Sequence, residues 1–427
     1  MTQSTAWDRD LFVDLTDFRE VDEVLRRGRE FHRTGTNAGS DEFAHGTLIA
    51  MDGRDHLNRR RALMKMIGAN QPWGAEGSLV DEVFQANIRR VLETQQPRDG
   101  LVRFDLIDLA SKLLWRVTAA LVGLDDIDNP TKVERFSQLV RPVLEGFNVE
   151  YQPEQRHQEI LTAARENLSK IRAEIFDPSL ERRRRLIAEA ETDDDYAALP
   201  ADLVTSLLVS IGDREPDVEV IFREMITLLA GSVNNPVSQI AWAIDDVLPW
   251  LDVHPEHKSK IGSKEFLGHA VKETMRLHRT SRPHLVRIAA QDAVLESSGR
   301  VVPKGTWLAC WIQAANRDAA VFGPDADIYD PYRTPLDPKV NPFGVGLGGG
   351  PHMCLGRPLL LWDRGDERAQ GVLVKVLRFL LVLGVRPDPD GVQQEGGPEG
   401  GRRHLRYDVV MPVPPRRAMT GGGHKDL

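Results

Sequence analysis

The stretch from Asn341 to Pro358 reads NPFGVGLGGGPHMCLGRP, and it decides between two folds. Gly344, Gly346 and Gly349 have the GxGxxG spacing of a dinucleotide-binding turn, which requires a buried strand before the glycines and a helix after them. The preceding segment, YDPYRTPLDPKVNP, contains several prolines, which a central strand does not tolerate. The dinucleotide motif therefore lacks its context, and the residues around the following cysteine carry more information.

Cys354 lies at the end of this glycine-rich loop, directly before a segment predicted to be helical. Glycines let a backbone fold closely under a flat ligand, and the free N–H groups at a helix start favour a thiolate. The alternative is an inert thiol. The second cysteine, Cys310, lies in the apolar stretch TWLACWIQAA and is predicted to be an ordinary core residue. Two cysteines are too few for a disulfide framework or a cysteine-built zinc site.

The composition is that of a globular enzyme. The 427 residues are 41% hydrophobic and 28% charged, which argues against a disordered chain. The formal net charge of −9 argues against general binding to nucleic acid or to an anionic membrane. The N-terminal sequence lacks the pattern of a secretion signal, and no apolar run is long enough to cross a bilayer. We therefore predict a cytoplasmic enzyme with no nucleic-acid or membrane partner.

The pattern of apolar residues predicts a mainly α fold with a smaller β-rich subdomain. Helical spacing dominates from about 81 to 280, and short β-like pieces follow from about 283 to 312. The cysteine loop and one last helix are predicted over 341–385. We expect a single domain over residues 1–412 and a disordered tail over 413–427.

The loop residues Gly350, His352, Cys354 and Gly356 resemble the cysteine-ligand loop of the cytochrome P450 family. This sequence departs from the family pattern once, because Leu347 stands where the family has an aromatic residue. The resemblance implies a cytochrome P450-like fold, with haem b buried between a central long helix and this loop. It also implies that Cys354 is the axial ligand of the haem iron.

Three other short motifs occur in the order that the resemblance requires. Glu273 and Arg276 form an ExxR pair, which places both side chains on one helix face. Alone, such a pair is an ordinary surface salt bridge. The family links this pair to an arginine in a later loop, here Arg333, and the resulting triad would serve folding and haem retention.

The haem propionates are assigned to four residues by the same resemblance. His56 and Arg60 are one turn apart in DGRDHLNRRRALM, and Arg287 and His352 occupy the other two positions. Basic and donor groups from distant segments suit two buried carboxylates. A solvated basic helix face is the alternative for the first pair.

The predicted central helix, VEVIFREMITLLAGSVNNPVSQIAWAIDDVL, is atypical where it should face bound oxygen. Most family members place an acid and an alcohol there to deliver protons, whereas this chain has Val233 and Asn234. Asparagine can order a water but is a poor acid. Pro236 lacks the N–H that would bond the carbonyl of Ser232, so a kink is expected. Three residues are therefore the catalytic candidates: Gly231, Asn234 and Asn235.

The resemblance implies a haem-thiolate monooxygenase. It also implies a small organic substrate, such as a secondary metabolite, and electrons from a separate ferredoxin-type donor and reductase. Because the acid and the alcohol that deliver protons are missing, other P450 reactions remain open: peroxide-driven oxygenation, oxidative coupling, desaturation or rearrangement. A non-catalytic haem protein is a further alternative. Ala230, Arg282 and His284 are the candidate substrate contacts. The last two would favour an anionic substrate if they face inward.

Overall fold

A computed structural model describes residues 12–33, 42–67, 75–149, 152–211, 217–361, 370–396 and 402–413. Most of the predicted tail, residues 414–427, lies outside the described residues. The predicted fold class is confirmed, because helices dominate and the sheets are small. In the part of the chain that the structure describes, every helix is too short or too polar to cross a membrane.

Helices begin earlier in the chain than the helix-rich region predicted from the sequence, and several start at polar caps. Asn129, for example, accepts a hydrogen bond from the N–H of Lys132 and precedes a proline at the first helical position. The helices are α1 (Phe18–Arg26), α2 (Gly53–Ile67), α3 (Leu79–Thr94), α4 (Leu106–Val122), α5 (Pro130–Phe147), α6 (His157–Ile171), α7 (Asp177–Glu189), α8 (Asp193–Ala198), α9 (Leu203–Ile211), α10 (Val218–Ser232), α11 (Asn234–Val253), α12 (Lys264–Leu277), α13 (Ile312–Ala315), α14 (Ala319–Phe322), α15 (Arg357–Leu361) and α16 (Val372–Val382). A π-helical turn at Arg172–Phe176 joins α6 to α7, and a 3-10 segment at Pro255–Gly262 follows α11.

Helix α11 lies at the centre of the helical part. It packs against α4, α12 and α16, and buried apolar residues from all four helices belong to one core. Ile240, Ala241 and Ile244 of α11 are almost completely buried. This central position explains why α11 is apolar on most of its surface, as expected of a helix surrounded by other helices.

The strands are short and pair with distant segments. They are β1 (Phe12–Leu15), β2 (Phe31–Arg33), β3 (Leu101–Asp105), β4 (His284–Ala289), β5 (Ala293–Val294), β6 (Val301–Val302), β7 (Trp307–Trp311), β8 (Arg386–Pro387), β9 (Gln393–Gly396) and β10 (Arg403–Pro412). One sheet has the order β1-β7-β4-β2, another has β3-β10-β8 with β9 on β10, and β5 pairs with β6. The predicted β-rich region thus contains only part of the sheets, and β3 lies inside the region predicted to be helical.

The predicted central helix is divided into α10 and α11 at Val233, three residues before Pro236. The kink expected from the proline is therefore present as a break. The predicted last helix is also divided. Helix α15 ends at Leu361 and α16 begins after Gly371, where an added Cβ would lie 2.0 Å from the carbonyl oxygen of Leu360. Residues 362–369, which belong to the same prediction, lie outside the described residues.

Candidate functional site

A cavity of about 250 Å³ lies between the break in the central helix and the glycine-rich loop. Gly231, Asn235 and Pro236 line it from the central helix, and Cys354 lines it from the loop. Apolar side chains, among them Leu347, complete much of its wall. The structure therefore brings the predicted distal segment and the predicted cysteine into one enclosure.

Backbone hydrogen bonds fix the position of Cys354 in the loop. Its N–H donates to the carbonyl of Leu347 at 2.8 Å, and its carbonyl accepts a bond from the N–H of Arg357 at 3.3 Å. Burial raises the pKa of the Cys354 thiol, while the backbone N–H groups of Gly356 and Arg357 and the charge of Arg60 oppose the rise. The side chain keeps some exposure, which is expected of a sulfur on a cavity wall.

Two glycines allow the loop to lie close to neighbouring backbone. An added Cβ at Gly350 would lie 2.3 Å from the carbonyl oxygen of Leu25, and this glycine has a φ of +58°. An added Cβ at Gly346 would lie 2.6 Å from the carbonyl oxygen of Met275. The loop is therefore held between α1 and α12, and its glycines serve this close packing.

A buried ion-pair cluster lies next to the cysteine loop and is hydrogen-bonded to it. Arg276, which is almost completely buried, makes two hydrogen bonds of 2.7 Å to Glu273, and Arg333 donates to the same carboxylate at 3.1 Å. The sequence missed the next member, Asn316. Its carbonyl accepts a bond from Arg276 at 2.6 Å, and its side chain accepts one from the N–H of Val345 in the loop at 2.8 Å. The predicted triad is thus linked to the cysteine loop through a single residue, Asn316.

Two histidines lie together beside the cavity. The rings of His56 and His352 are 4.1 Å apart, and His352 bonds through Nε2 to Asp52 at 2.8 Å. Burial and the nearby charges of His352 and Arg60 lower the pKa of His56 to about 4. Its Nδ1 is buried and has no hydrogen-bond partner among the described residues. Such a group is expected to meet a ligand.

Arginines form the polar end of the cavity. Arg287 on β4 is buried, and burial lowers its pKa, as it does for Arg60. Arg33, at the end of β2, is the cross-strand neighbour of Arg287 and lines the same cavity. Burial and the charges of Arg287 and Arg282 lower the pKa of Arg33 to about 9. The sequence did not indicate Arg33, because nothing local shows that this short strand ends at the cavity.

Two of the three catalytic candidates on the central helix line the cavity. Among the described residues, Gly231 and Asn235 line the cavity, whereas Ala230 and Asn234 do not. The buried Oδ1 of Asn235 has no hydrogen-bond partner in the described part of the chain. Val233 is completely buried. Helix α11 begins at Asn234, and the asparagine that lines the cavity is the next residue, Asn235.

The two basic candidates for substrate contact are not on the described cavity wall. His284 packs between aromatic rings, 6.3 Å from Phe12 and 4.9 Å from Trp311 in ring-centroid distance. Arg282 follows α12, and its backbone carbonyl accepts a bond from Arg279. Arg282 contributes charge near Arg33, whereas His284 has the surroundings of a sheet residue.

The cytochrome P450 family model matches residues 7–360. The chain belongs to the cytochrome P450 family. The predicted enzyme class, a cytochrome P450 monooxygenase, is thereby confirmed, and the cofactor of this family is haem b, as predicted.

Bacterial relatives match most of the chain. Cytochrome P450-SU2 of Streptomyces griseolus is 27% identical over 84% of this chain and 79% of its own length. Mycinamicin IV hydroxylase/epoxidase of Micromonospora griseorubida is 27% identical over 81% and 77%, respectively. A plant relative, sugiol synthase of Salvia miltiorrhiza, is 26% identical over 41% of this chain, which spans 38% of that protein.

A solved structure shows the same fold. CYP109E1 from Bacillus megaterium, in complex with testosterone, has a TM-score of 0.67 and 16% sequence identity. The similarity covers 96% of this chain and 97% of that one.

The residues at the cavity fit a haem. A sulfur donor lies on the wall, the guanidinium groups of Arg33 and Arg287 line the same cavity, and the imidazole of His56 lies beside it; none of these three basic groups pairs with a carboxylate among the described residues. Within the described ranges, no three His, Cys, Asp or Glu side chains are grouped to hold a metal ion. A cysteine sulfur is the ligand that P450 proteins supply to haem iron.

Proposed function

We propose that this P450 is a monooxygenase that inserts one oxygen atom from O2 into a small organic substrate of secondary metabolism. A separate ferredoxin-type protein and its reductase would supply the electrons. The observation that carries the proposal is the position of Cys354, whose sulfur lies on the wall of the same cavity as Gly231 and Asn235.

Five residues would hold the cofactor. Cys354 would coordinate the iron through its sulfur, with the N–H of Gly356 beside it. His56, Arg60, Arg287 and His352 would bind the propionates through charge-assisted hydrogen bonds. When bound, haem supplies the activation of dioxygen, and the protein supplies position, charge and exclusion of bulk water.

The distal residues would act by ordering water. Asn235 lines the cavity, as does Gln239 one turn further along α11, and the buried Oδ1 and Oε1 atoms of these two side chains have no hydrogen-bond partner among the described residues. Carboxamides can both donate to and accept from water molecules, so these two groups can hold a water chain without being acids themselves. The name of the mycinamicin relative, a hydroxylase and epoxidase, supports insertion of oxygen as the reaction class.

An acidic electron carrier would dock near α2. Arg54 and Arg61 on this helix are exposed. Arg59 is less available to bind an electron carrier, because it pairs with the buried Glu224 at 3.0 Å. Complementary charge at such a surface mainly accelerates association.

The proposal is tested by the absorption spectrum of the reduced, carbon monoxide-bound protein. A thiolate ligand gives a strongly red-shifted Soret band, which we expect in the wild type and in Cys310→Ser but not in Cys354→Ser. Cys310 is the matched control, because it is completely buried in β7 and burial raises its pKa to about 12. A wild-type protein that binds haem without this band would contradict the proposal.

The alternative chemistry, driven by peroxide, rests on the missing acid and alcohol. Once a substrate is found, product formed per NAD(P)H consumed is compared with product formed from hydrogen peroxide alone. A monooxygenase couples most of its NAD(P)H to product. Turnover that requires peroxide would favour the alternative.

A further inference from the structure

Arg33 is a cation at the cavity without a partner in the part of the chain that the structure describes. It is half-buried at the end of β2 and lines the same cavity as Cys354 and Asn235. Among the described residues its guanidinium makes no hydrogen bond or ion pair, and its nearest charged influences are two arginines and Asp52. A guanidinium in such a place is costly unless an anion joins it.

The guanidinium groups at and near the cavity outnumber the propionates of a haem. The described lining contains Arg33, Arg279 and Arg287 and no acidic side chain, and Arg60 lies close by; the two histidines of the lining, His278 and His352, already pair with Asp246 and Asp52. Haem b carries two propionates. The proposed propionate set already supplies two guanidinium groups, Arg60 and Arg287, and two imidazoles for them.

Arg279 is already occupied by backbone carbonyl groups. Its Nε donates to the carbonyl of Arg282, and its Nη1 donates to that of Gly346 at 3.3 Å. Arg33 thus remains as the guanidinium whose donors are not used.

We propose that Arg33 binds a carboxylate group of the substrate. The inference rests on the proposed function, since it places the substrate beside a haem held by Cys354. A guanidinium recognises a carboxylate through two parallel hydrogen bonds, and Arg282 adds positive charge nearby.

The apolar part of the cavity wall indicates the polarity of the rest of the substrate. Outside the cysteine loop, Pro236 and Leu285 line the same cavity, so the part of the molecule that leads away from the carboxylate is apolar. The substrate class is therefore a carboxylic acid with an apolar body, anchored at one end by Arg33.

The test uses ligands that anchor themselves to the haem iron. Imidazolyl alkanoic acids of increasing chain length are compared with the imidazolyl alcohols of the same length, and the shift of the Soret band gives each Kd. The wild type should bind the acid about tenfold more tightly at its best length, because only the acid offers a charge-assisted bidentate bond.

Variants assign this preference to Arg33. Arg33→Gln should bring the acid-to-alcohol affinity ratio close to one. Arg33→Lys should keep part of the preference for the acid, because lysine retains the positive charge but lacks the two parallel N–H donors of a guanidinium. Arg29→Gln is the matched control, since Arg29 is an exposed arginine close by in the chain. It should leave the ratio unchanged.

Other outcomes overturn the inference. A wild-type protein that shows no preference for the acid at any length has no carboxylate site. Faster haem transfer to apomyoglobin from both Arg33 variants, with the ratio unchanged, would show that Arg33 binds a propionate instead. If the wild type gave no Soret shift with any imidazole, the proposed function itself would fail.

Discussion

At the scale of single residues, substitution of Arg276 should have the largest effect on the structure. Its side chain is enclosed, and its donors are directed to Glu273 and to backbone carbonyls, including that of Asn316. A buried cation of this kind is tolerated only because every neighbour is matched to it. Loss of part of this network should therefore destabilise both the fold and the cysteine loop.

We expect Arg276→Lys to lower the free energy of unfolding by about 3 kcal/mol or more, because lysine cannot replace the planar set of donors. Urea unfolding gives the stability, and the haem-to-protein absorbance ratio gives haem retention, which should also fall.

Arg165→Lys is the control for this prediction. Arg165 also makes two bonds to a carboxylate, Glu42, but both side chains are about half exposed. An exposed pair contributes about 0–1 kcal/mol. Equal effects of the two substitutions would refute the role assigned to the buried network.

The sequence predicted the members of this cluster that belong to a motif, and missed those that do not. Glu273, Arg276 and Arg333 were expected together, and they lie together. Asn316 was not expected in this cluster, and Arg33 was not expected at the cavity, because each lies next to residues that are distant in the chain and have no fixed spacing to it. Residue type alone does not reveal such contacts.

At the scale of elements, the break between α10 and α11 shapes the distal wall. Helix α11 begins at Asn234 without a side-chain cap, and its first backbone bond runs from Val237 to Val233 at 3.0 Å. Pro236 has no N–H to offer the carbonyl of Ser232, so the two helices cannot be joined by that hydrogen bond. The break allows Asn235, and not Asn234, to line the cavity.

Pro236→Ala should make the central helix more continuous. The new N–H can bond to the Ser232 carbonyl, and one such bond is worth about 1 kcal/mol, so amide exchange over residues 233–237 should slow by about fivefold. Hydrogen exchange read by mass spectrometry measures this change.

Pro249→Ala provides the comparison. Pro249 lies inside the same helix, far from the break. Its replacement should remove a helix-interior proline without altering exchange at 233–237. If Pro236→Ala also leaves that segment unchanged, the proline is not the cause of the break.

Short strands were the hardest elements to predict from the sequence. Helices show their period over several turns, and α4 and α12 were expected from it. Strands β1 and β2 have four and three residues, too few for an alternating pattern, and their partners are strands far along the chain. Their existence depends on the assembled sheet, so local sequence does not reveal them.

At the scale of the whole molecule, buried titratable groups set opposing responses to pH. Burial raises the pKa of Glu224 to about 7 and that of Asp245 to about 6. Burial also lowers the pKa of His56 and of His404 to about 4. As pH rises, the two acids make the fold less stable and the two histidines make it more stable, so the net change should be small.

Glu224 allows one of these contributions to be isolated. Its side chain is completely buried between Arg59 and the N–H of Leu48, and burial outweighs both partners in raising its pKa. Between about pH 4.5 and 7, the folded protein keeps a proton on Glu224 that the unfolded chain has released. Raising the pH through this window therefore destabilises the fold.

Glu224→Gln replaces the titratable carboxyl by a carboxamide that does not titrate, and the carboxamide oxygen can still accept the hydrogen bond from the N–H of Leu48. From about pH 5.5 to 7.5, the ionisation of Glu224 should cost wild-type stability about 2 kcal/mol, and the variant should lack this cost. Urea unfolding of the holoprotein at both pH values gives the difference, in which any constant effect of losing the Arg59 pair cancels. Glu42→Gln, at an exposed site, should leave the pH dependence close to that of the wild type. Parallel pH profiles for wild type and Glu224→Gln would mean that Arg59 keeps Glu224 ionised throughout, and that its burial is fully offset by that ion pair.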